Sequence, residues 1–317
     1  MKKMTVGYNK NCIVLESGSL KIAIATDKGP RVVGCFIGKS KENMFAELPP
    51  KPMPQPKNGF CLYGGHRLWH SPEDCPLCYE PDNDPVTIEK AENGGLLISG
   101  AVCPSTGVRK SMLIIPIEDD VIAVHHKVEN TGLWPLEYAS WSLTMMAPGG
   151  LVMLPQGYAP DGNPYIPDRN LVLWPYTDLS DKRLKFGERY ILVQNDPKQA
   201  KAIKLGYRDG DGWIGYANKG NAFIKYIEID PTGNYPDRGC NIETYTCDVH
   251  SEIETLGTLE TIQPGEAAYH TEYWQGIEGV GDVKTEKDVI KKIEPNLIDF
   301  EFEECGCDDD DCDCHHK

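Results

Sequence analysis

Apolar and polar positions along this chain alternate with a period of two far more often than with a period of 3.6. The stretch Ser19 to Ala25 (SLKIAIA) alternates as a half-buried strand does. Arg31 to Ile37 (RVVGCFI) follows after the turn residues Asp27-Lys28-Gly29-Pro30. Val86 to Glu89 and Leu96 to Ala101 flank Asn93-Gly94-Gly95, which predicts a hairpin. Lys110 to Ile117 and Val121 to Val128 flank Glu118-Asp119-Asp120, and Ile203 to Arg208 and Trp213 to Ala217 flank Asp209-Gly210-Asp211-Gly212. Phe223 to Ile229, Glu243 to Thr246, Glu252 to Leu256 and Ala268 to Trp274 complete the series. Strands at this spacing with polar turns predict an all-β sandwich or barrel, and no strand–helix–strand rhythm points to a parallel sheet. One helix is predicted, Glu286 to Leu297, with a capping box from Thr285 and Asp288. Its short apolar face (Val289, Ile290, Ile293) would pack outside the sheets.

Two Pro-rich connectors interrupt the strands, Leu48 to Asn58 (LPPKPMPQPKN) and Tyr158 to Asp168 (YAPDGNPYIPD). Long loops in an all-β protein usually cover a face or rim a site. The pattern divides the chain into a β region over residues 1–281, a helical segment over 282–300 and a tail over 301–317.

The 317 residues carry a net charge of −16, of which the tail EFEECGCDDDDCDCHHK supplies −7. Nucleic acid and anionic lipid are therefore not expected partners. No apolar run approaches the roughly 18 residues of a membrane helix, and no apolar core follows the N-terminal lysines as in a signal peptide. Twelve cysteines in so long a chain predict reduced thiols and a cytoplasmic location rather than a secreted disulfide scaffold. Six are scattered singly. Cys75 and Cys78 form a C-x-x-C that reads as half a metal site, a redox pair or two reduced loop thiols. Cys305, Cys307, Cys312 and Cys314 form two C-x-C pairs, with His315 beside them. Such a set suits zinc or another soft to borderline ion, either in the tail alone or together with Cys75 and Cys78.

The densest polar-aromatic run is Tyr63-Gly64-Gly65-His66-Arg67-Leu68-Trp69-His70-Ser71-Pro72-Glu73. Glycines allow close backbone approach to a ligand, an arginine fork suits vicinal hydroxyls, and a tryptophan stacks on an apolar sugar face. On a strand, His66 and Leu68 share one face while Arg67 and Trp69 share the other. His66 and His70 would then lie about 13 Å apart, too far to share one metal ion without a bend.

Read together, this run, VHHKVENTGLWPLE over 124–137, SWSLTMMAPGG over 140–150 and NIETYT…IQPGEAAYHTEYW over 241–274 resemble the galactose mutarotase-like (aldose 1-epimerase-like) superfamily. The resemblance implies a large antiparallel β-supersandwich that binds a small-molecule sugar and needs no cofactor for its chemistry. Carried over by position, Glu243 is the base that deprotonates the anomeric hydroxyl. The family's acid histidine has no counterpart in 140–145, so His66 or His70 supplies the acid, or the chain is a non-catalytic sugar binder. Tyr63, Gly65, Arg67, Trp69, Glu73 and Trp141 are the implied sugar-binding residues. A third class, an assembly or metal-handling protein organised by the tail, stays open, and so does a homo-oligomer.

Overall fold

In a computed structural model, residues 2–117, 120–157, 165, 167 and 169–300 are described. The Cys/Asp/His tail, with Cys305, Cys307, Cys312, Cys314 and His315, lies outside them, as does most of the connector 158–168. The described residues form two large antiparallel sheets.

One sheet, of 11 strands, contains β1 (Lys3–Val6), β2 (Asn9–Ser17), β3 (Leu20–Ala25), β4 (Arg31–Ile37), β5 (Gly65–Ser71), β10 (Leu136–Met146), β12 (Val172–Leu173), β15 (Ile203–Tyr207), β18 (Ile242–Thr246), β19 (Ser251–Leu256) and β20 (Glu260–Ile262). The other, of 10, contains β6 (Thr87–Lys90), β7 (Leu96–Val102), β8 (Val108–Pro116), β9 (Val121–Asn130), β11 (Leu151–Pro155), β13 (Leu184–Phe186), β14 (Tyr190–Gln194), β16 (Trp213–Asn218), β17 (Asn221–Ile227) and β21 (Ala267–Ile277). Ile22, Ile24, Met112, Ile114, Val124, Phe223 and Trp274 interdigitate between the sheets, as a sandwich core does.

The predicted strands are all present, with ends shifted by a few residues. Asn93-Gly94-Gly95 closes the β6–β7 hairpin, where Ala91 N–H donates to the Gly95 carbonyl. The helix is shorter than expected. It runs Glu286–Lys292 and gives way to a 3-10 turn at Glu294–Asn296, because Pro295 has no N–H to continue it. Its capping box is formed as read: Thr285 accepts the Asp288 N–H, and Asp288 accepts the Thr285 N–H at 3.0 Å. Val289 and Ile293 pack with Leu151, Tyr190 and Trp213 on the outer face of the second sheet. No helix among the described residues is long and apolar enough to cross a membrane.

The middle of the longer sheet runs β4-β5-β10-β19-β18-β15. Each residue of β5 (Gly65–Ser71) is buried, so neither side of this strand faces open solvent. One side packs on the second sheet. The other is covered by three connectors, which bring Met53 and Leu62, Glu73 and Tyr79, and Tyr176 over it.

Candidate functional site

The register of the central strands decides which side chains meet. Trp69 pairs with Trp141 and Arg67 with Leu143 between β5 and β10. Leu143 pairs with Glu254 and Met145 with Glu252 between β10 and β19. Glu243 pairs with Glu254 and Tyr245 with Glu252 between β19 and β18, and Lys204 pairs with Tyr245 between β18 and β15. Strand alternation therefore sends Arg67, Trp69, Trp141, Glu252, Glu254, Glu243 and Lys204 to the same side of the sheet, away from the second sheet.

On that side lies a cleft of about 180 Å³, lined by Arg67, Trp69, Trp141, Lys204, His250 and Glu252 and rimmed by Glu73, Tyr79 and Tyr176. Arg67 is 3% exposed. Its guanidinium stacks on Trp69 at 4.4 Å and its Nη2 pairs with Glu252 Oε1 at 3.1 Å. Its Nε and Nη1 are buried and have no partner. Lys204 Nζ sits 2.8 Å from Glu243 Oε2 and 3.1 Å from Glu254 Oε2, held between the rings of Trp141 (4.7 Å) and Trp174 (4.6 Å). Trp141 Nε1 donates to Glu254 at 3.0 Å. His250 Nε2 lies 3.9 Å from Glu252 Oε1. At the rim, the Tyr79 phenol donates to Glu73.

Two carboxylates facing one ammonium cannot both ionise cheaply in so dry a place. Burial raises Glu243 well above the usual carboxylate range, Lys204 opposes this, and Glu254 adds to it. Burial likewise raises Glu254 to about 6 against the pull of Lys204. Burial alone would raise Glu252 too, but Arg67, then His250 and Lys204, hold it below its ordinary value, so it is ionised at neutral pH. Burial would lower Lys204, yet Glu254 and Glu243 raise it.

The predicted site residues divide between this cleft and other places. Arg67, Trp69, Glu73 and Trp141 line the cleft together. Glu243 is on the same side of the sheet but fully buried, with Lys204 against it, and does not line the cleft. His66 and His70 point the opposite way and meet neither Glu243 nor the cleft. His70 stacks on Tyr138 at 4.0 Å with Cys78 Sγ 3.7 Å from its Nδ1. Tyr63 donates its phenol to Asn83 at 2.6 Å and does not line the cleft. Gly64 and Gly65 serve packing rather than ligand approach. A Cβ on them would meet the Ala46 carbonyl at 2.0 Å and the Val32 carbonyl at 2.2 Å, and both residues have positive φ. Lys204, His250, Glu252 and Glu254 were not singled out from the sequence as site residues. All four come from strands or turns remote from Arg67, and no local motif marks them.

His66 joins a second polar cluster, inside the sandwich. Glu272 Oε1 accepts from Lys225 at 2.7 Å and Thr255 at 2.6 Å, and also from Ser142; its Oε2 accepts from Trp274 at 2.7 Å. His126 Nδ1 faces the His270 carbonyl at 2.9 Å, so it carries the proton. His126 Nε2 then accepts from His66 Nε2 at 2.8 Å, and His66 Nδ1 accepts from Thr144 at 2.8 Å. His66, His126 and Glu272 are the one trio among the described residues with metal-ligand atoms within 4.8 Å of one another. The protein's own donors and acceptors already satisfy these atoms, and the Lys225 ammonium supplies the countercharge to Glu272. No such trio forms around Cys75 and Cys78 among the described residues.

No protein-family profile and no curated protein sequence matches the chain. Solved structures do. A candidate aldose 1-epimerase from Klebsiella pneumoniae aligns over 88% of this chain and 83% of its own, with a TM-score of 0.55 and 11% identity. A galactose mutarotase-like protein from Lactobacillus casei aligns over 84% and 100%, with a TM-score of 0.53 and 7% identity. A TPR-domain-containing protein from Parabacteroides distasonis aligns over 93% of this chain and 50% of its own, with a TM-score of 0.59 and 14% identity. At these identities the likeness is one of fold. The architecture is the galactose mutarotase-like β-sandwich expected from the sequence.

Proposed function

We propose that the chain recognises a monosaccharide in the cleft over β5, β10 and β19. The observation that carries this reading is Arg67. A guanidinium buried to this degree with Nε and Nη1 unpartnered costs folding energy unless a ligand supplies acceptors. Those two donors flank the Nη2–Glu252 contact on a guanidinium stacked on Trp69, whose ring centroid is 5.5 Å from that of Trp141. Hydroxyl oxygens would meet these donors one at a time while the C–H face of a pyranose packs on the indoles. Arg67 and Lys204 face Glu252 and Glu73 across the cleft, so the wall is close to neutral and suits an uncharged sugar better than a phosphorylated one.

A second reading, anomer interconversion, is favoured by Glu252. Ring opening needs a base at the anomeric hydroxyl and an acid at the ring oxygen, on opposite sides of the sugar. Glu252 is ionised and on the cleft floor, and the Tyr79–Glu73 pair stands at the rim. Glu243, buried behind Lys204 and raised toward its neutral form, is poorly suited to be the base. Magnetisation-exchange NMR across a panel of aldoses tests this. Catalysed exchange that Glu252→Gln abolishes and Glu243→Gln spares supports the catalytic reading. Binding without exchange leaves recognition alone.

A further inference from the structure

We propose that Cys75 and Cys78 form a redox-active dithiol whose oxidation to a disulfide reorganises the rim of the cleft. The C-x-x-C occupies one closed turn. Cys78 N–H donates to the Asp74 carbonyl at 2.8 Å and Tyr79 N–H to the Pro76 carbonyl at 2.9 Å, leading into the 3-10 turn Leu77–Tyr79. The two thiols differ in access as an attacking and a resolving cysteine do. Cys75 is the one exposed cysteine among the described residues, whereas Cys78 is buried. Cys78 Sγ accepts from Asp74 N–H at 3.2 Å and faces the His70 carbonyl at 3.3 Å. The turn is flanked by two cleft residues, Glu73 and Tyr79. The Tyr79 ring packs on Trp69 at 4.8 Å and on Phe60 at 5.5 Å. Cys78 cannot turn toward Cys75 without releasing Asp74 N–H and pulling on Tyr79, its neighbour in the chain.

The oxidant class is a low-molecular-weight disulfide. The Cys75 thiolate attacks one of its sulfurs, the S–S bond breaks, and one thiolate leaves, giving a mixed disulfide on Cys75. Cys78 loses its proton to solvent, attacks the Cys75 sulfur and displaces the second thiolate. Two protein thiols are oxidised by two electrons and one small disulfide is reduced to two thiols.

The test uses the full chain, reduced and then incubated with oxidised glutathione. Remaining thiols are blocked with iodoacetamide and the peptides mapped by mass spectrometry. The expected product is a peptide with Cys75 and Cys78 joined, lighter by two hydrogens, reversed by dithiothreitol and absent from Cys75→Ser. Tryptophan emission should change on oxidation in wild type and not in Cys75→Ser, through Trp69. A stable glutathione adduct on Cys75 with Cys78 free, or Cys75 joined to a tail cysteine, overturns the dithiol. A disulfide with unchanged emission overturns the reorganisation. The further expectation that oxidation weakens sugar binding about tenfold rests on the carbohydrate reading. If neither redox state binds any sugar, that reading fails while the disulfide result stands.

Discussion

The central strands β5, β10 and β19 bury ionisable groups on both of their faces, and the two faces treat them differently. Between the sheets, Lys225, Glu272, His66, His126 and His270 are bound to one another and to Ser142, Thr144, Thr255 and Trp274, and no fully buried side-chain nitrogen or oxygen of the cluster is without a partner. On the cleft face, Arg67 keeps two buried N–H groups unpartnered and Glu254 keeps Oε1 unpartnered. A polar cluster that closes on itself specifies a core, whereas one left open at a cleft is prepared for something that is not the protein. The histidines that motif reading favours are on the closed face, and the groups with spare bonding capacity are on the open one.

The largest expected effect breaks the closed face. Lys225→Met leaves the Glu272 charge buried without its cation and should cost about 3–5 kcal/mol, read as a lower midpoint in urea unfolding. Arg67→Met should show the reverse pattern. It also takes the main cation from Glu252, but Glu252 borders the cleft and keeps His250 and Lys204 near it, so the stability loss should be smaller than that of Lys225→Met. Its sugar affinity should fall roughly thirtyfold, the equivalent of about 2 kcal/mol for hydrogen bonds to a charged group. If Arg67→Met unfolds the chain as readily as Lys225→Met, the two faces are not different in kind.

The inner histidines and Glu254 should also titrate in opposite senses. Burial holds His270 down to about 3 and His126 to about 4, with Glu272 pulling both upward. The unfolded chain binds protons there that the native state refuses, so their stability is full above pH 6.5 and is lost as pH falls toward 4 and below. Glu254, raised to about 6, works the other way: stability present below about 4.5 is lost as pH rises to 6. Unfolding free energies from pH 4 to 7 should therefore flatten at the acid end in His270→Asn and rise at the neutral end in Glu254→Gln. Equal slopes in wild type and both variants would contradict the assignment. The smallest effect is at the rim, where Tyr79→Phe removes the phenol that Glu73 accepts from. A loss of a few-fold in sugar affinity is expected by calorimetry, about 1 kcal/mol or less.

The strands were legible because alternation and turn residues are local signals, and Thr285 with Asp288 marked the helix start for the same reason. Its early end was not anticipated, although Pro295 stands in plain view, because the apolar spacing of Val289, Ile290 and Ile293 continues a helical pattern. Arg67, Trp69, Glu73 and Trp141 were legible as a site because three of them share one short run and Trp141 pairs directly with Trp69. Lys204 and His250 were not. Lys204 reaches Arg67's wall only through the registers of β15, β18, β19, β10 and β5, of which the β10–β19 pairing joins residues more than a hundred positions apart. The strand parity that separates Arg67 from His66 was already in the sequence, but the face that carries Glu243 was not, because it depends on the registers of β5, β10, β19 and β18.

The chain's six tryptophans allow the central claim to be tested in one spectrum. Trp69, Trp141 and Trp174 surround the cleft cations, Trp274 lies between the sheets, and Trp213 and Trp134 lie elsewhere. Indole N–H signals, assigned with single Trp→Phe variants, would be followed while a panel of aldoses is added. The account predicts that one sugar shifts the Trp69, Trp141 and Trp174 signals together in a saturable way and leaves Trp274, Trp213 and Trp134 in place, with the response lost in Arg67→Met. Shifts confined to Trp134 or Trp213, or none with any sugar in a folded sample, would contradict it.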